Sequence, residues 1–214
     1  MNPYAAKPWL AHYEPHVPAT LDYPARLLPQ VLKETARRYS DQPAIIFKGK
    51  TVSYGELDRA VDAFAGALQE LGVAEGDRVA IHLPNCPQFP IAYYAALRVG
   101  AIVVPCNPTY TARELIHQLN DAEAKVIVTL SLMYPLVHQI RTETPLEKVV
   151  VAQIKSYFPT VLKLLFTLLR ENKMGHRVSI AGHPNTYWFM ELLENARPLA
   201  QPVTPAAEDT AVLM

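Results

Sequence analysis

Apolar positions along this chain change period several times, and the changes mark out its elements. Leu57, Val61, Phe64, Leu68 and Leu71 recur in alternating steps of four and three, the period of one face of an α-helix. Ser53 and Glu56 stand before this stripe as an S-x-x-E capping box, and Gly72 follows it as a C-terminal stop. Ahead of the box, 44–47 and 51–53 flank Lys48-Gly49-Lys50 and predict a β-hairpin. Leu28, Leu32 and Ala36 predict a helix within 25–39, with Pro29 in its first turn. Residues 1–24 show no period and predict an irregular arm.

From 78 onward strands and helices alternate. Strands are predicted at 78–83, where Val79, Ile81 and Leu83 alternate, and at 101–104, 125–130 and 148–154. Helices are predicted at 87–99, ending at Gly100, and at 112–123 and 131–141. Pro105 and Pro108 are expected to stop the 101–104 strand, since each lacks a ladder donor. Thr111 and Glu114 form a second capping box, behind which Leu115, Leu119 and Ala122 make one stripe. Such alternation predicts an α/β fold, a largely parallel sheet with helices on both faces.

Residues 155–185 break the rhythm. Seven of the nine residues at 161–169 (VLKLLFTLL) are apolar, and the polar, basic RENKMGHR follows. A helix is predicted at 186–197, around Trp188, Phe189, Leu192 and Leu193, then an extended linker at 198–207. The last seven residues, EDTAVLM, read as an acidic turn and the first half of a strand, so the domain is expected to be truncated at its C-terminus. The resulting division is an arm at 1–24 and an incomplete α/β domain at 25–214 that carries an insertion at about 155–185.

Composition narrows the classes. Half of the 214 residues are hydrophobic, enough for a packed core. Twenty basic residues balance twenty acidic ones, which argues against nucleic acid as a partner. Two cysteines and no signal-peptide pattern favour the cytoplasm. No apolar run is long enough to span a bilayer.

Candidate chemistry is sparse. Neither G-x-G-x-x-G nor G-x-x-x-x-G-K-[ST] occurs. His12 and His16 have helical metal-ligand spacing, but Pro15 between them favours a plain surface arm. Cys86 and Cys106 follow two strands at similar points and read as buried structural thiols, possible neighbours at one sheet edge. His82, inside a strand, reads as a satisfied core histidine, and His117 as a hydrogen-bond donor to a nearby loop. Asn107, Pro108, Thr109 and Tyr110 form the main candidate for a ligand-facing loop, because they follow the C-terminal end of a parallel strand. Equally, they suit a helix-leading turn in which Tyr110 packs beside the cap. Val161, Leu164, Leu165 and Leu168 are the candidates for a subunit or membrane contact, with core packing as the alternative. Lys155, Lys163, Arg170, Lys173 and Arg177 around them suit anionic headgroups.

Several phrases carry a resemblance: VSYGEL at 52–57, GDRVAIHLPNCPQFPIAYYAALRVGAIVVPCNP at 76–108, ELIHQLNDAEA at 114–124, LLFTLLRENKMGHRV at 164–178 and EDTAVLM at 208–214. Together they resemble the N-terminal part of long-chain fatty-acid–CoA ligases, in the adenylate-forming superfamily. The resemblance implies that the sheet belongs to the large N-terminal domain of an adenylate-forming enzyme. It implies an acid–thiol ligase that joins a long-chain fatty acid to CoA through an acyl-adenylate, using ATP and Mg2+. In that family the phosphate loop, the ribose-binding Asp and the catalytic Lys lie beyond the matched part. No catalytic, cofactor-binding or metal residue is therefore carried over, and this chain alone is expected to be inactive and to bind no cofactor. Peripheral membrane contact and homo-oligomerisation are further options. The alternatives are a stand-alone non-catalytic module that binds an acyl chain, a membrane or a partner, and part of a medium-chain or aromatic-acid CoA ligase.

Overall fold

The computed structural model describes residues 5–197, 199 and 203–214. Helix α1 (Leu28–Arg38) leads to a hairpin of β1 (Pro43–Phe47) and β2 (Lys50–Ser53). The turn is Lys48-Gly49 alone, with φ of 52° and 87°, so both residues take the left-handed geometry that suits the twist of a two-residue hairpin. Lys50 is thereby the first residue of β2 rather than part of the turn. Helix α2 (Tyr54–Glu70) starts on a complete capping box. Ser53 Oγ accepts from Glu56 N at 3.2 Å, and the Glu56 carboxylate accepts from Ser53 N at 2.7 Å.

The sheet has five parallel strands, β3 (Arg78–His82), β4 (Ile102–Pro105), β5 (Val126–Leu130), β6 (Lys148–Ala152) and β7 (Thr186–Trp188), in spatial order β4-β3-β5-β6-β7. The connecting helices are α3 (Gln88–Arg98), α4 (Ala112–Asp121), α5 (Tyr134–Ile140) and α6 (Thr160–Leu169), and α7 (Phe189–Asn195) follows β7. Alternate strand residues face opposite ways and build two cores. Val79, Ile81, Val128 and Val150 pack with Val61, Phe64 and Leu68 of α2 and Ile91 and Ala95 of α3. Ala80, Val104, Ile127 and Val151 pack with Leu115 and Leu119 of α4 and Val137 and Ile140 of α5. Phe189 of α7 stacks on Phe64 at 4.3 Å.

Four further sequence expectations change. Residues 186–188 are a strand, not the start of a helix. Three residues are too few to show a period, and pairing with β6 decides their conformation. Pro105 lies inside β4, opposite Ile81. The bond to β3 comes from Cys106 N, which donates to Ile81 O at 2.9 Å, so the proline nitrogen takes the outer side of the strand and no bond to β3 is lost. Residues 131–133 form a turn, and the helix begins only at Tyr134. Cys86 and Cys106 are buried and free, but they belong to different cores on opposite faces of the sheet, because the chain turns opposite ways after β3 and β4.

Outside β4, Val103 N donates to Ala211 O and Leu213 N to Val103 O, both at 2.9 Å, so the EDTAVLM segment adds in parallel to that edge. The expected linker at 198–207 falls partly on 198 and 200–202, outside the described residues, and 203–206 have no regular structure. Arg98, at the end of α3, is buried against α2. It pairs with Asp58 and, at 2.5 Å, with Asp62, and it donates to Asp58 O at 3.2 Å.

Candidate functional site

After β3 the chain turns toward the first core and α3, whereas after β5 it turns toward the second core and α5. Such a divergence opens a crevice at the C-terminal ends of the two strands, the usual ligand position of doubly wound sheets. His82 and Thr129 face each other across it, with His82 Nδ1 3.2 Å from Thr129 Oγ1. Both are fully buried. His82 Nε2 has no hydrogen-bond partner at normal geometry. Burial pushes the imidazole down to about 4, and a weak approach to the Asn107 main chain offsets only part of that. His82 is therefore a neutral core residue at neutral pH, and the Nε2 atom is the one part of it that is unsatisfied.

The chain itself fills the crevice. Gln88 Nε2, at the start of α3, donates to Gln153 O at 2.9 Å. Ser131, just after β5, lies 3.2 Å from His176 Nδ1. Lys155 pairs with Glu171 at 2.6 Å, and Glu171, Ser131 and His176 are all buried. Phe158 stacks on Phe47 of the hairpin at 5.9 Å and meets Phe166 of α6 edge-on at 5.3 Å. The insertion is thus seated by the Ser131–His176 contact at the sheet edge and by rings against the hairpin, and Lys155–Glu171 braces it internally.

The 107–110 loop lies one strand away. Asn107 Oδ1 accepts from Thr109 N at 3.0 Å and from Thr109 Oγ1 at 2.9 Å, and Tyr110 N donates to Asn107 O at 3.1 Å. These are Asx-turn bonds that use Asn107's oxygen internally. Tyr110 packs against the second core, while Asn107 and Thr109 are exposed. At the start of α4, the Glu114 carboxylate accepts from Thr111 Oγ1 at 2.7 Å and from Thr111 N at 2.8 Å, and these bonds hold its pKa below the ordinary range. Gln118 Nε2, not His117, reaches back, and it donates to Pro105 O at the end of β4 at 3.1 Å; His117 is exposed. The reason is geometric: residue 118 shares the inward side of α4 with Leu115 and Leu119, and 117 does not.

The two candidate groups are not brought together. Asn107, Pro108, Thr109 and Tyr110 sit between β4 and α4, whereas Val161, Leu164, Leu165 and Leu168 lie on the outer side of α6, which has no buried residue. In this chain none of those four side chains belongs to either core. His12 closes a short 3-10 turn (Pro8–His12), and both it and His16 are exposed. Among the described residues no three His, Cys, Asp or Glu side chains gather as a metal site. Sequence reasoning missed the Ser131–His176 and Lys155–Glu171 contacts. A serine after a strand and a histidine 45 positions later carry no shared pattern.

The sheet order, the two-sided core and the divergent connections define a doubly wound α/β framework. Residues 32–214 match the AMP-binding enzyme family, and the chain belongs to that family. It is 35% identical to a long-chain-fatty-acid–CoA ligase of Bacillus subtilis over 207 residues, 97% of this chain and 37% of that protein. A long-chain-fatty-acid–CoA ligase of Yersinia pestis is 41% identical over 151 residues, 69% of this chain and 27% of that one. The chain thus spans about a third of the length of these curated relatives. A solved long-chain-fatty-acid-CoA ligase from Archaeoglobus fulgidus shares the fold with a TM-score of 0.69 at 24% identity, over 90% of this chain and 35% of that one.

Proposed function

We propose that this chain supplies the opening α/β part of an ATP-dependent long-chain fatty-acid–CoA ligase. The carrying observation is that the likeness to the Bacillus subtilis ligase runs over 97% of the chain and so includes the 155–185 segment. By comparison, a crotonobetaine/carnitine–CoA ligase matches only 57% of it. In this reading residues 1–24, of which 1–4 lie outside the described residues, are an arm, and residues 25–214 belong to the AMP-binding domain with its insertion. ATP and fatty acid yield an acyl-adenylate and pyrophosphate, and the CoA thiol then displaces AMP. Mg2+ would serve the first step, bound by groups outside this chain.

What these residues do is hold geometry. The sheet and its filled crevice are framework, and the 107–110 loop is the surface offered toward ligand. The 214 residues alone carry out no adenylation. The enzyme works in the cytoplasm, with membrane contact and self-association as its further properties. Among the described residues no helix is long and apolar enough to cross a membrane.

The test is fatty-acid-dependent ATP–pyrophosphate exchange, measured for this chain and for the product of its complete reading frame. Exchange with palmitate by the complete product, and none by this chain, is expected. Exchange by this chain alone would overturn the assignment of chemistry elsewhere. A complete product that accepts benzoate but not palmitate would overturn the long-chain reading.

A further inference from the structure

The 107–110 loop is tied mostly to itself. Asn107 gives its side-chain oxygen to Thr109 and its carbonyl to Tyr110 N, and among the described residues 107–110 make no hydrogen bond to another element. The last bond to the sheet before the loop is Cys106 N to Ile81 O at 2.9 Å, and the next fixed point is the Thr111–Glu114 box. Tyr110 packs against the second core, but apolar contact is not directional and leaves the height of the loop over the sheet weakly set.

His82 stands under this span. Ile81 lies opposite Pro105 in the β3–β4 register, so the pairing ends beside His82, where the chain lifts away into Asn107. Ala80 and Ile127 face the second core, and two positions further on their strands His82 and Thr129 face the same way. The ring is fully buried, with Nδ1 3.2 Å from Thr129 Oγ1 and Nε2 without a partner at normal distance. The approach of the Asn107 main chain raises the imidazole's pKa, which an acceptor does and an N–H does not, so the group facing the ring is the Asn107 carbonyl.

Chemistry then selects the tautomer. A proton on Nδ1 would leave a bare Nε2 lone pair and a carbonyl oxygen as two acceptors with no donor between them. With the proton on Nε2, the Thr129 hydroxyl donates to Nδ1 and Nε2–H is directed at Asn107 O, whose second lone pair is free. A buried N–H held short of its acceptor is costly, so a small descent of the loop that completes the bond is favoured.

We propose that His82 is the positioning residue of the 107–110 loop: Thr129 holds the ring from β5, and Nε2–H draws the Asn107 carbonyl down when a substrate rests on the loop. His82 itself touches no substrate. The link to substrate rests on the ligase reading; the relay from Thr129 to Asn107 does not.

The relay is tested on this chain. Nitrogen NMR of the imidazoles at pH 7, with His82 identified by its loss in His82→Gln, is expected to show the Nε2–H tautomer; the Nδ1–H tautomer overturns the proposal. His82→Leu removes the donor and should speed amide exchange at Thr109 and Tyr110 about fivefold, whereas His82→Gln keeps an N–H at a similar reach and should stay near the parent. Equal exchange in the parent and in His82→Leu overturns the relay, as it would if a buried water satisfied Nε2. Should His82→Leu fail to fold, Thr129→Val takes its place and should raise the Nδ1–H fraction and the loop exchange together; no change in either overturns the relay. The link to substrate is tested by ATP–pyrophosphate exchange in the product of the complete reading frame. There His82→Leu should raise the KM of palmitate or ATP about fivefold with kcat little changed, and His82→Gln should restore it. A fall in kcat with both KM values unchanged, or no kinetic change, overturns that link. A complete product with no exchange at all would strike the ligase reading and leave the NMR result standing.

Discussion

Acidification should destabilise this protein well above the range in which carboxylates titrate, and His82 is the main reason. The imidazole is fully buried and its pKa is lowered from 6.5 to about 4 by desolvation. A base depressed in this way stays neutral in the folded state while the unfolded chain takes up its proton. Stability is therefore unaffected by this group above about pH 6.5 and is lost progressively as pH falls from 6.5 toward 4. From those two values, the loss between pH 7 and pH 5 is about 2 kcal/mol. For a chain of this size that corresponds to a fall in melting temperature of about 4–8 °C. His176, also lowered by burial, acts in the same direction. The isolating measurement compares urea unfolding at pH 7 and pH 5 for the parent and for His82→Gln. The glutamine does not titrate, so the variant should lose about 2 kcal/mol less over this interval, whatever its stability at pH 7. Taking the difference of differences cancels His176 and every carboxylate. Equal pH dependence in the two proteins would refute the argument, for it would mean that His82 meets a compensating partner or water.

Arg98→Ala leaves Asp58 and Asp62 without their cation. Breaking such a pair costs about 3–5 kcal/mol when fully buried, and because Asp62 is 35% exposed about 2–4 is expected in urea unfolding; a loss under about 1 kcal/mol would show that water replaces the guanidinium. Gly66→Ala should destabilise although alanine favours helix, because an added Cβ would lie 1.8 Å from Arg197 O. A rise in melting temperature for that variant would mean that the segment after α7 moves aside freely. The Cys86 and Cys106 thiols, pushed up to about 11 and about 12 by burial, should resist alkylation at pH 8 until the chain unfolds, as adduct mass would record. Modification faster than unfolding would contradict their placement.

The sheet was largely legible because its signals are local. The 57–71 stripe, the Ser53–Glu56 and Thr111–Glu114 boxes and the β-branched runs each act within a few residues, and the helix-and-strand pattern fixes two covered faces. β7 was not legible, since Thr186, Tyr187 and Trp188 become a strand only by pairing with Val149, Val150 and Val151. Nor was the filled crevice, whose bonds join Gln88 to Gln153 and Ser131 to His176 across long stretches of sequence. Of the candidate residues, the apolar burst at 161–169 was plain, but its outward direction depends on the seat of Phe166. The loop at 107–110 follows β4 as read, while the bond from α4 comes from Gln118 to Pro105 O rather than from His117, a difference set by which residue of α4 turns inward.

The seating of the insertion has a consequence for how the molecule opens. An excursion of this kind between β6 and β7 would ordinarily be a separate, weakly held unit that breathes on its own. Here, lifting it away exposes Phe158 and Phe166 and separates His176 from Ser131, both of them buried. Its opening is thereby tied to the end of β5, so insertion and sheet are expected to open as one cooperative unit. Slow hydrogen exchange in the main chain should extend from the central strands out to residues 171–176, past the exposed helix between them.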